Sequence, residues 1–261
     1  MILLTAHDPG LLAAVQRIAR PDEDVVAEGE WVDRALEHGH ARLFLCDDRR
    51  GVMPERTSGV PVLYVPPELI AKWDRTRKRH DIPPARTEYL ATRLRGLMAE
   101  LALEPTWVDR TLADLSRLAG GPLPLPFRSF ARRTLEFPAR YTDLSDVAAL
   151  AGLSRGALKA RFRRRELESP FTYQRWLRTL AVAEALSAPE VTVAAAANAL
   201  GFTSDTNMCR MVRVLTGATP GRLREPDARR WLLVAFARAH LTRDALEGWR
   251  ALDDLFSRRV A

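Results

Sequence analysis

Two stretches decide the fold: Leu144-Ser-Asp-Val-Ala-Ala-Leu-Ala-Gly-Leu-Ser-Arg-Gly-Ala-Leu-Lys-Ala-Arg-Phe-Arg-Arg164 and Val191-Thr-Val-Ala-Ala-Ala-Ala-Asn-Ala-Leu-Gly-Phe-Thr-Ser-Asp-Thr-Asn-Met-Cys-Arg-Met-Val-Arg-Val-Leu-Thr-Gly-Ala-Thr-Pro220. In the first, a short apolar helix over 145–151 must end at Gly152, because glycine tolerates the left-handed backbone of a tight helix exit. Ser154 then stands where an N-cap belongs, its hydroxyl able to accept from an amide one turn on. Leu158 and Phe162 fall four apart on one face of the following helix, which makes that face the buried one. The opposite face carries Arg155, Gly156, Lys159, Ala160 and Arg163, donors interspersed with small residues.

The second stretch repeats the pattern. Gly201 closes a helix of small residues and Ser204 is placed to cap the next, whose buried stripe is predicted from Met208, Val212 and Leu215. Asp205, Thr206, Cys209 and Arg210 then point away from that stripe. Gly217 is the predicted stop, and Pro220 suits the start of a further short helix, where its missing N–H costs little. Between the two stretches, residues 169–186 predict one helix of about 27 Å. A lone basic helix is most simply a solvated face. Two helix-turn-helix units in one chain, spaced near the roughly 34 Å of one duplex turn, point instead to double-stranded DNA read in two successive major grooves, each about 12 Å wide.

Several of these residues also fall in a known order. Gly-Leu-Ser from Gly152, Phe162, Ser169-Pro170 with Tyr173, Arg178, Ala-Leu-Gly-Phe from Ala199, Arg210, and Gly-Ala-Thr-Pro from Gly217 to the neighbourhood of Arg224 resemble the AraC/XylS (arabinose-regulator) family of bacterial transcription factors. The resemblance covers about 80 of the 261 residues. It implies base-reading residues early on each recognition helix: Arg155, Gly156, Lys159 and Ala160 in the first, Asp205, Thr206, Cys209 and Arg210 in the second. Arg163 and Arg213 complete the DNA-binding set. It also implies RNA polymerase as a partner and a homodimer as a frequent assembly. The chain departs from the family at Leu167, where a glycine usually follows the first recognition helix, and at Met208 and Val212, which replace aromatic residues. Ala196 replaces a bulky aliphatic one, so looser packing is expected in the second unit.

Composition agrees. The chain carries 40 Lys plus Arg against 33 Asp plus Glu, a net charge of +7. Residues 140–225 hold 13 basic and 8 acidic side chains, which is 13 − 8 = +5 of that surplus. The two cysteines, Cys46 and Cys209, fall in different predicted domains, which argues against a disulfide framework and for a reducing cytosol. No apolar run approaches the roughly 18 residues of a membrane span, and the opening Met-Ile-Leu-Leu lacks the basic start of a signal peptide. Histidines are scattered and no Gly-rich phosphate loop follows a strand, so neither an enzyme nor a cofactor is expected.

The first 68 residues follow another rule. Apolar runs at 1–5, 24–27, 42–46 and 61–65 alternate with amphipathic segments at 11–19 and 31–37, which predicts an α/β domain with a small parallel sheet, receiver-like or flavodoxin-like in outline. In a phospho-acceptor receiver, Asp47 would stand where the acceptor ends the third strand, and it is the candidate phosphorylation site; a solvated strand end is the plainer reading. Where a receiver keeps paired acids after its first strand, this chain has Ala6, His7 and Asp8.

Residues 69–119 predict helices with apolar stripes, Leu90, Leu94, Leu97, Leu101 and then Val108, Leu112, Leu115, Leu118, able to cover the sheet or to pair with a second copy. The cluster Lys72, Arg75, Arg77, Lys78, Arg79 and His80 reads as a solvated helix end or a phosphate contact. Gly120-Gly121-Pro122 with Pro124 and Pro126 predicts a linker over 120–126. An all-α domain over 127–225 follows, holding both helix-turn-helix units joined by the long helix, and then an extension over 226–261 with helices at 227–240 and 242–259. The sequence supports a DNA-binding transcription regulator modulated by its N-terminal domain. The alternative is a protein-interaction module built on a degenerate double helix-turn-helix.

Overall fold

The computed structural model of the chain describes residues 2–5, 8–27, 42–47, 62–65, 84–100, 105–252 and 255–256. They belong to two compact units, Met1–Val108 and Asp109–Ala261.

In the first unit, β1 (Ile2–Thr5), β2 (Val25–Ala27), β3 (Leu43–Asp47) and β4 (Val62–Val65) form a parallel sheet of order β2-β1-β3-β4. Side chains alternate across a strand. Ile2, Leu4, Leu43, Leu45, Leu63 and Val65 therefore share one face, where they bury Leu11, Ala14 and Val15 of α1 (Pro9–Ile18) and Leu90, Ala91 and Leu94 of α2 (Pro84–Glu100). The α2 stripe is thus sheet cover, with Leu97 packed at its margin. Two buried ion pairs tie neighbouring elements together within each layer. Glu23, before β2, receives both Arg42 nitrogens Nε and Nη2 at 2.8 Å, across the start of β1. Burial alone would raise the Glu23 carboxyl, but the Arg42 fork outweighs it and holds the pKa at about 2. Asp8 caps α1 through the amides of Gly10 (2.8 Å) and Leu11 (3.1 Å), and its other oxygen meets Arg86 of α2 at 2.6 Å. The helix predicted over 31–37, the cluster from Lys72 to His80, Asp48 and Leu101 lie outside the described residues.

The second unit contains most of α3 (Trp107–Leu118), then α4 (Leu125–Glu136), α5 (Leu144–Leu150), α6 (Arg155–Arg164), α7 (Pro170–Ser187), α8 (Val193–Ala199), α9 (Asp205–Thr216), a 3-10 turn (Arg222–Arg224), α10 (Ala228–His240) and α11 (Arg243–Arg250). Its core is aromatic. Trp249 is fully buried, with Phe127, Tyr173, Phe162 and Phe130 around it at ring-centroid distances of 5.2, 5.2, 5.1 and 5.7 Å. Phe236 of α10 stacks at 6.3 Å on Phe127 and lies 5.9 Å from Trp176. The segment over 226–261 packs on the second unit: its two helices complete the core beneath α6 and α7. Its last helix is shorter than 242–259, because Ala251 ends it with an amide bond to Glu247 and the chain turns through Leu252 and Leu255.

The stretch over 120–126 is likewise part of the second unit. The Gly121 amide donates to Ser116 O (3.1 Å), Ser116 Oγ donates back to Gly121 O (2.8 Å), and Leu123 is buried, so this is a tight turn between α3 and α4. The division of the chain falls instead before Asp109. Asp109 receives Arg132 of α4 at 2.8 Å, and Arg229 of α10 reaches Asp114 of α3 at 2.7 Å. Leu112 and Leu115 are buried, while Leu118 is 44 % exposed. Buried charges on α4 are all partnered: Arg132 also meets Glu136, and Arg133 donates to the Phe256 carbonyl at 2.8 Å.

Two outcomes follow from this core. Replacing Trp249 with Ala should cost about 3–5 kcal/mol, the usual range for a large buried aromatic, read as a lowered urea midpoint of the second unit. His240 is half-buried among Tyr173, Trp176 and Phe236. Burial lowers its pKa below the ordinary 6.5, against a smaller opposing pull from Glu168. The unfolded chain then binds the proton more readily, so the stability this ring contributes is present above about pH 6.5 and is lost as pH falls through the lowered value. The drop in melting temperature between about pH 7.5 and about pH 5.5 should shrink in His240→Phe, which keeps the ring and loses the titration.

Candidate nucleic-acid interface

Each helix-turn-helix unit is set by its caps and its glycine. Asp143 caps α5 in a full capping box with Asp146, and the amide bonds that its carboxylate accepts lower its pKa. Gly152 (φ 64°) makes the turn, and Ser154 Oγ accepts the Ala157 amide at 3.2 Å to start α6. In the second unit Thr192 caps α8, Gly201 (φ 68°) turns the chain, and Ser204 Oγ accepts the Asn207 amide at 3.1 Å to start α9. Gly201 has a second duty: a Cβ there would stand 2.8 Å from Ala139 Cα. Gly217 ends α9 at φ 71°.

The turns match expectation at Gly152, Gly201 and Gly217 and differ after α6. The left-handed residue there is Glu166 (φ 54°), one position before Leu167, and the Leu167 amide closes the exit on Phe162 O at 3.1 Å. Leu167 is buried, and Glu166 stays in solvent. The α9 stripe also differs. Met208 and Val212 are fully buried with Met211 beside them, whereas Leu215 is half-exposed, so Met211 takes the place predicted for Leu215. Ala196 and Ala197 are buried to within 2 % of completeness, so the small α8 residues leave no open seam there.

α7 holds the two units together, and one side chain is central. Arg178 is 3 % exposed and forks between them: Nη1 donates to Tyr141 O (3.3 Å) at the entrance of the first unit, and Nη2 donates to Leu200 O (2.9 Å) at the end of α8. Gln174, one turn earlier, also donates to Tyr141 O. The Phe202 ring lies 4.1 Å from the guanidinium carbon. Burial lowers the Arg178 pKa to about 10, which leaves it cationic at neutral pH. Arg224 performs a similar service at the far end of α7, donating to Val191 O at 2.6 Å.

The predicted contact residues end up on two outward surfaces. Arg155, Gly156, Lys159 and Arg163 are exposed and Ala160 is half-exposed on α6; the last four of the five line one shallow depression of about 490 Å³ with Leu167 and Pro170 at its edge. Asp205, Thr206, Arg210 and Arg213 are exposed and Cys209 is half-exposed on α9, and all five line a second depression of about 360 Å³. Asp205 accepts from the Thr206 amide at 2.6 Å, so its carboxylate is already turned along the helix start. A third hollow, of about 520 Å³, was not foreseen. It lies beside α9 and contains Phe171 and Arg175 of α7, Asn207, Arg210 and the 67 % exposed Val214. Its residues come from segments far apart in sequence, so no local pattern announces it.

In the first unit, Asp47 ends β3 and the surroundings of its side chain lie outside the described residues. Asp8 is committed to the α1 cap and to Arg86. Among the described residues no group of His, Cys, Asp and Glu could hold a metal ion, and no helix is long and apolar enough to cross a membrane.

Comparison with known proteins agrees with this geometry. A helix-turn-helix domain family matches residues 147–226. The chain is 29 % identical over 130 residues to the HTH-type transcriptional regulator RipA of Corynebacterium glutamicum. That alignment takes in 48 % of this chain and 38 % of the relative, so the chain spans less than half of the relative's length. No solved structure matches the chain.

Arg178→Met should take from the Leu200 carbonyl its Arg178 donor, with Tyr141 O still held by Gln174, and cost about 1–3 kcal/mol, read from the urea midpoint of the full chain. Arg178→Lys should recover less than half of that, because an ammonium on a flexible stem cannot reproduce the fork.

Proposed function

From the premise that residues 147–226 are a helix-turn-helix domain of the AraC type, we propose that the chain is a sequence-specific transcription regulator whose α6 and α9 enter two adjacent major-groove segments of one duplex. The observation that carries this is the pairing of two capped helices, each buried on one face and presenting cations with small residues on the other, at the two ends of one 18-residue helix. At about 1.5 Å per residue that helix is about 27 Å long, near the spacing of successive grooves on one side of DNA. A single copy can therefore engage both grooves, and the reading needs no dimer.

Roles follow from chemistry. Arg155, Lys159 and Arg163 supply phosphate contacts and donors for guanine edges, and Gly156 and Ala160 let the helix approach closely. On α9, Arg210 and Arg213 are the cations, Asp205 is suited to accept from a cytosine amino group, and Thr206 and Cys209 are small enough for close approach. With Arg155, Lys159 and Arg163 on the outward face of α6 against two cations and a carboxylate on that of α9, the first unit gives the larger share of affinity. The N-terminal α/β unit modulates this activity, and RNA polymerase is the partner at the promoter; no effector is assigned. Phosphorylation at Asp47 is not part of the proposal, because the one acid in place of a receiver's pair is occupied by Arg86.

Selection of bound duplexes from a random library tests the reading. The native protein should enrich a two-part motif with centres about one helical turn apart, losing one part in Lys159→Ala and the other in Arg210→Ala. With about six phosphate contacts, affinity should fall roughly a thousandfold between about 50 and about 200 mM salt. No enrichment, and no salt-dependent binding, would transfer the assignment to a protein-interaction module on the same fold.

A further inference from the structure

The helix-turn-helix match ends at residue 226, yet the first recognition helix leans on residues beyond it. On one side of α6, the Trp249 ring meets Phe162 edge-on at 5.1 Å and 86°. Phe162 is fully buried and lies one turn after Leu158 on the inward face of α6. At the C-terminal end of α6 the contact is closer still. A Cβ built on Gly248 would stand 2.7 Å from the Arg165 carbonyl oxygen and 3.0 Å from Cγ and Cδ2 of Leu167. The α11 backbone therefore comes up against the helix exit itself, in space that only glycine leaves open.

That exit has little freedom to yield. Its residue Glu166 is in the left-handed region (φ 54°), and the amides of Arg165, Glu166 and Leu167 bond to Phe162 O, Arg163 O and Phe162 O at 3.0, 3.1 and 3.1 Å. The obstructing atom at 2.7 Å is backbone, so an added methyl cannot be relieved by a side-chain turn; either α6 or α11 has to shift. α11 is itself seated by Trp249 among Phe127, Phe130 and Tyr173. α9 has different supports, packing on α7 and α8.

Resting on the DNA-binding reading above, we propose that α11 is a positioning element for the first recognition helix: Gly248 and Trp249 set the tilt and depth of α6, and with them the reach of Arg155, Lys159 and Arg163, without touching DNA. The segment over 226–261 is thereby a determinant of specificity in one half of the site.

The test compares the full-length native chain, Gly248→Ala, Trp249→Phe and Lys159→Ala in duplex selection, followed by titration on the selected duplex with either half scrambled. Thermal unfolding of each variant checks that it is folded at the assay temperature. Displacing α6 loses well-aligned base contacts, each worth about 1–3 kcal/mol of discrimination, so Gly248→Ala should lose about tenfold or more of the discrimination in the half that Lys159→Ala identifies, while the other half keeps its native preference. A merely structural role would lower the active fraction and weaken both halves equally. Trp249→Phe, which adds no clash and keeps a ring, should show the same half-selective loss if Gly248→Ala does not fold. The proposal is overturned by a folded Gly248→Ala that reads both halves as the native chain does, by equal loss in both halves, or by failure of both variants to fold, which would make α11 plain core. A native chain that enriches no duplex fails earlier and overturns the DNA reading itself.

Discussion

The buried guanidinium of Arg178 is the constraint on which the two-headed domain depends. A charge taken out of water is tolerated only where its donors are used, and here the acceptors are one carbonyl from each helix-turn-helix unit. Tyr141 O belongs to the loop that leads into α5, and Leu200 O to the turn that leads into α9. Tyr141 precedes α5 and Leu200 caps the end of α8, so each carbonyl sits at an edge of its unit. If one unit rotates away from α7, it leaves behind an unsatisfied carbonyl and an under-solvated cation, so the relative setting of the two recognition helices is enforced by desolvation. Apolar packing alone is non-directional and would hold α7 against both units with less angular definition. The Phe202 ring on one side of the guanidinium and Gln174 on the same Tyr141 carbonyl add to that definition.

The same economy runs through the rest of the unit. α4 is buried along nearly its whole length although it carries Arg132, Arg133 and Glu136. These charges fix direction where the aromatic core supplies only attraction: Arg132 ties α4 to Asp109 of α3, and Arg133 ties it to the Phe256 carbonyl near the end of the chain. α3 and the segment after residue 226 are thereby joined through one helix. This is why the division between the two units falls at the start of α3, and why the glycine and proline run after α3 is a turn.

What could be read from the residues follows from the range of the physics involved. Gly152, Gly201 and Gly217 were legible because a left-handed residue is a local backbone need, and Ser154 and Ser204 because a cap bonds an amide three residues on. The outward faces of α6 and α9 were legible from the 3.6-residue period. The 120–126 stretch was misleading because Gly and Pro mark a break in helix equally well in a linker and in a packed turn; only the Ser116–Gly121 bonds and the burial of Leu123 distinguish the two. Glu166 was missed since a non-glycine left-handed residue carries no compositional mark, and Met211 was missed since Leu215 satisfies the same period one turn later. The strand order β2-β1-β3-β4 is where a doubly wound sheet of order 2-1-3-4-5 begins. It supports an α/β unit, and the Asp8–Arg86 pair separates that unit from the acid cluster of a receiver.

The arginines illustrate why net charge was a weak guide to the interface and geometry a strong one. Residues 140–225 hold a surplus of cations, but some of those cations are used inside the domain. Arg178 and Arg224 spend their donors on backbone carbonyls inside the domain, and Arg222 pairs with Glu225 and Asp227. Arg155, Lys159 and Arg163 on α6 and Arg210 and Arg213 on α9 remain on the outward surfaces. Counting charge therefore overstates the field on the outward surface, and the cations that remain there are spread over α6 and α9 and also over Arg140 and Arg165 outside them. Net charge alone therefore does not locate an interface, whereas the capped helices α6 and α9, each buried on one face only, single out two outward surfaces.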